Sequence, residues 1–136
     1  MFGRSIGLLY AIEPTYRQPN IAGPTIESGI PDPVERFLTF ADLNPAGFDE
    51  VDVPAEVKLK FNHEPELGDD ENPLLILNTE NDGMIDISHA EQNLQWADSE
   101  QKQLVRFPHG NHNTIHLYNF EDYLDVVRCF VEGIRS

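Results

Sequence analysis

The chain has a single cysteine, Cys129, so no disulfide can close within it. Its place beside Val126, Val127 and Phe130 in an amphipathic segment predicts a buried small apolar residue rather than a reactive thiol. No apolar run approaches the roughly 18 residues that a membrane-spanning helix needs. No basic stretch at the N-terminus leads into an apolar one, so no secretory signal is read there and the expected compartment is cytoplasmic. Basic residues are scarce, 9 Lys+Arg against 24 Asp+Glu, and only Lys58, Lys60 and Lys102 are lysines. A net charge of −15 repels nucleic acid and anionic membranes, so neither is an expected partner. The same acid-rich, lysine-poor surface is what a salt-adapted source would give. Internal repeats and low-complexity segments are missing too. The glycines from Gly3 to Gly7 lack the Lys-Ser/Thr of a P-loop and the third glycine of a dinucleotide fingerprint, so no cofactor is expected.

What is there suits one domain. With 136 residues, 40% of them hydrophobic, the chain is long enough to build a core. Ser5 to about Tyr16 predicts a helix with Ile6, Leu9, Tyr10 and Ile12 on or near one face, shortened or kinked at Pro14. Ile21 to Gly29 predicts a short strand, although Gly23-Pro24 is awkward inside one. Asp32 and Pro33 are suited to the N-cap and first turn of a second helix that buries Val34, Phe37 and Leu38. Residues 31–71 hold twelve Asp/Glu and three Lys/Arg, half of the acids of the chain. A solvated face or a small acidic cap over a pocket is expected there.

Leu74-Leu75-Ile76-Leu77-Asn78 is apolar without alternation, the pattern of a strand covered on both faces, as in a parallel sheet. Thr79 to Gly83 is loop chemistry. A helix follows from about Ser88 to Ala97, with Ala90, Leu94 and Ala97 inward and Trp96 at its border. Gln103 to Phe107 predicts another strand, closed by Pro108-His109-Gly110-Asn111-His112-Asn113. The last helix runs from about Phe120 to Ile134, capped by Asn119, with Tyr123, Leu124, Val127, Phe130, Val131 and Ile134 at helical spacing. Alternating helices and strands imply an α/β fold with a parallel sheet and right-handed crossovers.

Gly3-Arg4-Ser5-Ile6-Gly7 has the form G-x-S-x-G and stands just before a helix. That is how a nucleophile elbow reads: a strand ends, the backbone turns sharply and a helix begins, leaving the serine hydroxyl exposed. Flanking glycines let neighbouring backbone approach closely. The Ile6 N–H then lies at a helix N-terminus, where an oxyanion would be stabilised. In open parallel sheets the chemistry gathers on loops at the carboxyl ends of strands, and three such loops carry Ser5, Asp82 and His112. Seventy-seven residues separate Ser5 from Asp82, room for two crossovers and an insertion, and thirty separate Asp82 from His112, room for one.

Together these residues resemble the α/β-hydrolase superfamily, specifically the C-terminal portion of a small bacterial-type serine hydrolase beginning at the elbow. The resemblance covers nearly the whole chain: Gly3–Gly7 as elbow, Ile26–Gly29 as the next strand end, Leu74–Asp82 as strand and acid loop, Gly110–Asn113 as histidine loop. It implies that Ser5 attacks an ester, thioester or amide carbonyl of a small-molecule acyl substrate, that His112 is the general base and that Asp82 orients it. Asp86 and Asp32 are rivals for the acid, and His109 for the base. The alternative reading of Asp82 is an Asx-turn residue, and of His112 a loop histidine bonded to backbone. A different chemistry is also open, since His109, His112 and His116 form H-x2-H-x3-H, a spacing that could ligate zinc, although no H-E-x-x-H accompanies it.

One departure from the family stands out. The elbow begins at residue 3, so the several strands that precede it in a full α/β-hydrolase are expected to be missing from this chain, and with them the loop giving the second oxyanion amide. The expectation is a single partial domain over residues 1–136, about three parallel strands flanked by helices, with impaired catalysis. An open sheet edge would let the chain form a homo-oligomer or act as a non-catalytic module.

Overall fold

The computed structural model describes residues 1–32, 55 and 63–135. The proposed second helix beyond Asp32 and most of the acidic 31–71 segment lie outside the described residues. Among those described, the order is β1 (Phe2–Arg4), a 3-10 turn (Ser5–Gly7), α1 (Leu8–Arg17), β2 (Thr25–Glu27), α2 (His63–Gly68), β3 (Leu74–Thr79), α3 (Ile87–Trp96), β4 (Lys102–Phe107), α4 (Ile115–Tyr118) and α5 (Phe120–Gly133). The four strands form one parallel sheet in the order β1-β2-β3-β4. To the three strands expected from the sequence the structure adds β1, which pairs Phe2 with Thr25 and Arg4 with Glu27.

β3 is buried along its whole length and separates two cores. Successive side chains of a strand point to opposite faces. Leu74 and Ile76 therefore join Leu8, Ile12, Ile26, Leu67, Ala90 and Ala97, the side covered by α1, α2 and α3. Leu75 and Leu77 join Phe107 and Ile115 on the other side, where Tyr123, Val126, Val127 and Phe130 of α5 pack. The four-residue run Leu74–Leu77 is continuous in apolarity because it must satisfy both layers at once.

Several elements differ from the sequence reading in phase or extent. α1 buries Leu8, Leu9, Ala11, Ile12 and Thr15, while Ile6 and Tyr10 are exposed, because the turn at residues 5–7 sets a different rotation for the helix. Pro14 does not end α1. It withholds one backbone donor, and the helix continues to Arg17, closing with the Gln18 N–H on the Pro14 carbonyl at 2.9 Å. The strand expected over residues 21–29 is reduced to Thr25–Glu27, since Pro24 has no donor for a ladder. On α5, Leu124 is 49% exposed and no residue is fully buried, because one helix lies over this face with nothing outside it among the described residues. Cys129 is exposed, on the side of α5 away from the Tyr123–Phe130 contact, which overturns its expected burial. Asn93, unremarked in the sequence, is buried in α3, where its Nδ2 donates to the Gly29 carbonyl at 3.4 Å.

Candidate active site

All four strands are parallel, so their carboxyl ends share one rim. Ser5 follows β1 directly, Ser28 follows β2, Asp82 stands three residues beyond β3 and His112 five beyond β4.

At Ser5 the backbone leaves the extended conformation of Arg4 and enters the left-handed region, with φ of 53°. A non-glycine residue there carries backbone strain that its surroundings must hold in place. Gly3 explains how they do so. A Cβ at Gly3 would stand 2.6 Å from both the Gly7 carbonyl oxygen and the Ala11 Cβ, so only glycine lets the turn fold back against the strand. Gly7 has open space around it, contrary to the idea that both glycines serve close approach. The Ile6 N–H belongs to the first turn of the helical segment, where amides have no intrahelical carbonyl to bond. The Ser5 hydroxyl makes no hydrogen bond among the described residues and is partly exposed.

Asp82 is buried and uses its two oxygens differently. Oδ1 accepts from the Met84 and Ile85 amides at 2.9 and 2.8 Å, closing the turn after β3, and Oδ2 contacts His112 Nδ1 at 2.9 Å. The bonds that close the turn and the contact with His112 thus fall to the same side chain. Burial by itself would push this carboxyl up, but the Ile85 amide, the His112 ring, the Met84 amide and the Ser28 hydroxyl together hold it below its ordinary value of 3.8. An ionised carboxylate can only accept, so Nδ1 of a neutral His112 is the donor and Nε2 is left as the acceptor. Nε2 has no partner among the described residues.

The sign of the shift sets an acid dependence. A carboxyl whose folded-state pKa is depressed contributes stability that is fully present above its unfolded value, near 3.8, and is lost as pH falls through the lower folded value. Between pH 6 and pH 2.5 the urea midpoint of the wild type should fall more steeply than that of Asp82→Asn. Parallel curves for the two would show that Asp82 is not held ionised by the fold.

The loop carrying His112 is tied to its neighbours by backbone contacts. Thr79 Oγ1 donates toward the His109 and Gly110 carbonyls at 3.2 Å each, and Asn81 Nδ2 donates to the Pro108 carbonyl at 2.7 Å. Asn119 stands at the N-cap of α5 as expected but makes no side-chain capping bond, its Nδ2 donating to the His109 and Ile115 carbonyls at 2.8 and 2.7 Å.

The rivals separate clearly. Asp86 caps α3 by accepting from the Ser88 amide at 3.0 Å, so it does not face His112. His109 offers its carbonyl to the site and leaves its ring exposed. Among the described residues no three His, Cys, Asp or Glu side chains converge as a metal site.

Sequence reasoning missed four participants. Ser28 has φ of 47° and a fully buried hydroxyl near the Asp82 carboxylate. Glu27 is 2% exposed yet charged, bonded to Arg4 Nε through Oε1 at 2.7 Å and to the Tyr123 hydroxyl through Oε2 at 2.5 Å. Burial first, then the hydrogen bond and charge of Glu27, push the Tyr123 phenol far above its ordinary range, so it remains a donor. The one available signal was an acid inside a strand that is otherwise buried. A groove of ≈ 460 Å³ opens beside these residues, walled by Phe2, Phe120 and Leu124. A larger hollow of ≈ 570 Å³, near Glu71, Asp98 and Glu100, lies by the amino ends of β3 and β4 and touches none of the candidate residues, so its size has no bearing on the chemistry.

No protein-family model matches the chain, and no curated protein is similar to it in sequence. Solved structures do match its fold. An esterase of Pyrococcus furiosus superposes with a TM-score of 0.72 at 14% identity, over 99% of this chain and 53% of the other. A monoacylglycerol lipase of Paleococcus ferrophilus gives 0.66 at 14% identity, over 96% and 67%. An alpha/beta hydrolase enzyme from the metagenome of lagoon sediments at Mar Chica, Morocco, gives 0.69 at 17% identity, over 99% and 61%. The chain therefore spans about half to two thirds of the length of these three structures.

Proposed function

We infer that this chain, whose four parallel strands and flanking helices form a partial α/β-hydrolase fold, is of hydrolase descent and carries a Ser5-His112-Asp82 triad for cleaving an ester, thioester or amide bond. The observation that carries the reading is the 2.9 Å bond between His112 Nδ1 and a buried Asp82, on the same sheet rim as a serine at φ of 53°. In this mechanism Ser5 Oγ attacks the acyl carbonyl while His112 Nε2 takes its proton. The Ile6 N–H donates to the oxyanion, and the imidazolium, stabilised by Asp82, then protonates the leaving group. Water enters by the same base and releases the acid.

The direct test is labelling with a fluorophosphonate, which reacts with an activated serine, followed by mass mapping. One adduct on Ser5 is expected, and labelling confined to other residues would sink the triad.

Turnover by this chain alone is a separate matter, and we propose that it is impaired. Removing one oxyanion donor costs roughly 10²–10³-fold in turnover, and only the Ile6 amide is assigned to that role here. Nitrophenyl ester hydrolysis should therefore barely exceed that of Ser5→Ala. Robust turnover lost in Ser5→Ala would refute the impairment and uphold the nucleophile.

A second reading is favoured by the outer edge of β1, where Phe2, Phe120 and Leu124 are 52%, 59% and 49% exposed. Here the chain is a non-catalytic module that pairs with a second copy through that edge. Size-exclusion chromatography giving a monomer at all concentrations would count against it.

A further inference from the structure

We propose that Arg4, held by Glu27, is a positioning residue that clamps the His112 loop against the turn carrying Ser5; this rests on the serine-hydrolase reading above. Arg4 is the residue immediately before Ser5, so a displacement of its backbone passes directly to the serine. Its guanidinium reaches in two directions. Nε donates to Glu27 Oε1 at 2.7 Å, while Nη2 donates to the backbone carbonyl of His112 and, at 3.1 Å, to Asn113 Oδ1. One planar group therefore touches the end of β2 and the loop after β4 at the same time, spanning both sides of the rim.

Glu27 keeps that group in place. Its side chain is 2% exposed, and a buried carboxylate is tolerated only when paired and fully hydrogen-bonded. Arg4 supplies the countercharge to one oxygen and the Tyr123 hydroxyl, at 2.5 Å, completes the other. Tyr123 is itself fixed by stacking on Phe107, the last residue of β4, with ring centroids 5.7 Å apart. The chain of contacts thus returns to the root of the His112 loop. Lysine could pair with Glu27 but has no planar fork to reach the carbonyl as well.

The separation of Ser5 from His112 is what such a clamp would control. Their side chains share no hydrogen bond among the described residues, so each must be held from its own side, and an error of about 1 Å in such a pair can cost about a hundredfold.

The test compares Arg4→Gln and Arg4→Lys with Arg106→Gln, which removes an exposed ion pair to Glu91 that shares no partner with the clamp. Two readouts are taken on the full chain: the rate of fluorophosphonate labelling at Ser5, and hydrogen exchange at the amides of residues 111–115. The amides of Asn111, Asn113, Thr114 and Ile115 are bonded within the loop, so their protection reports its order. Arg4→Gln should label about 10–100-fold more slowly and lose protection in the loop while β3 keeps its own. Arg4→Lys should recover only part of both, and Arg106→Gln should match the wild type. Unchanged loop exchange in Arg4→Gln overturns the clamp, as does loss of protection spread evenly over β3 and the loop. If wild-type Ser5 takes no label at all, the hydrolase reading fails, and the exchange pattern alone still decides whether Arg4 orders the loop. Should Arg4→Gln not fold, the decision passes to Arg4→Lys, whose full recovery of both readouts would refute the need for a fork.

Discussion

Ser5→Ala is expected to bring fluorophosphonate labelling to background, and Asp82→Asn to slow it by on the order of 10³–10⁴-fold. The two losses have different causes. Alanine removes the atom that forms the bond. Asparagine keeps the size of Asp82 but can offer its amide N–H to His112, which favours the tautomer with the proton on Nε2 and leaves no base facing Ser5. It also gives up the charge that would stabilise the imidazolium. Because Asp82 Oδ1 closes the turn through Met84 and Ile85, asparagine can still accept those amides, so the fold should survive. The measurement is the pseudo-first-order rate of adduct formation by intact mass, with circular dichroism to show that each variant is folded. An Asp82→Asn rate within a few-fold of wild type would mean that the carboxylate serves the turn alone.

Gly23→Ala should cost about 3 kcal/mol or more of stability, lowering the urea midpoint by at least about 1 M for a slope typical of small domains. Gly23 precedes β2, and an ideal Cβ there would lie 2.2 Å from the Pro73 carbonyl oxygen and 3.2 Å from its carbon. These are backbone atoms at the start of β3, which no rotamer change can move aside. Gly23 also has φ of +154°, which L side chains rarely adopt. Relief of the clash would have to push apart the ends of β2 and β3, where the Leu75 amide donates to the Pro24 carbonyl at 3.2 Å. Overpacking that repacking can absorb costs 1–3 kcal/mol as a rule, and a backbone obstacle belongs at or above the top of that range. Gly83→Ala is the control, since nothing stands within 4 Å of a Cβ at that position. Equal midpoints for the two variants would show that the strands approach less closely than described.

Gly23 also shows why part of the fold could not be read from the chain. Gly23-Pro24 looked like a flaw inside a strand, whereas the pair sits just outside β2 and allows the strands to come together. Leu74–Leu77 was legible because burial on two faces demands apolarity at every position, a pattern that few other local structures need. The phase of α1 was not legible. Ile6 and Tyr10 fit a helical stripe as well as Leu8 and Ala11 do, and the choice is made by the left-handed turn at Ser5 rather than by hydrophobicity. The burial expected for Leu124 and Cys129 failed for a related reason. A helical stripe tells which residues can face a layer, but not how wide that layer is.

For the candidate site the division is similar. Asp82 and His112 were nameable because they stand in loops that follow readable strands, and Ser5 because it sits in a G-x-S-x-G sequence, in an order that matches a known constellation. Arg4, Glu27, Ser28 and Tyr123 were not, since their partners lie up to 109 residues away and no local pattern joins them.

The amino-acid sequence by itself determined the parallel α/β class, the three candidate side chains and the acidic surface, because each depends on residue type and local periodicity. Only the tertiary structure decided that Asp82 rather than Asp86 meets His112, that a fourth strand completes the edge at Phe2–Arg4, and that a buried Glu27 binds Arg4. Those outcomes rest on distances between segments remote in the chain, and such distances are set by packing both cores around β3 at once.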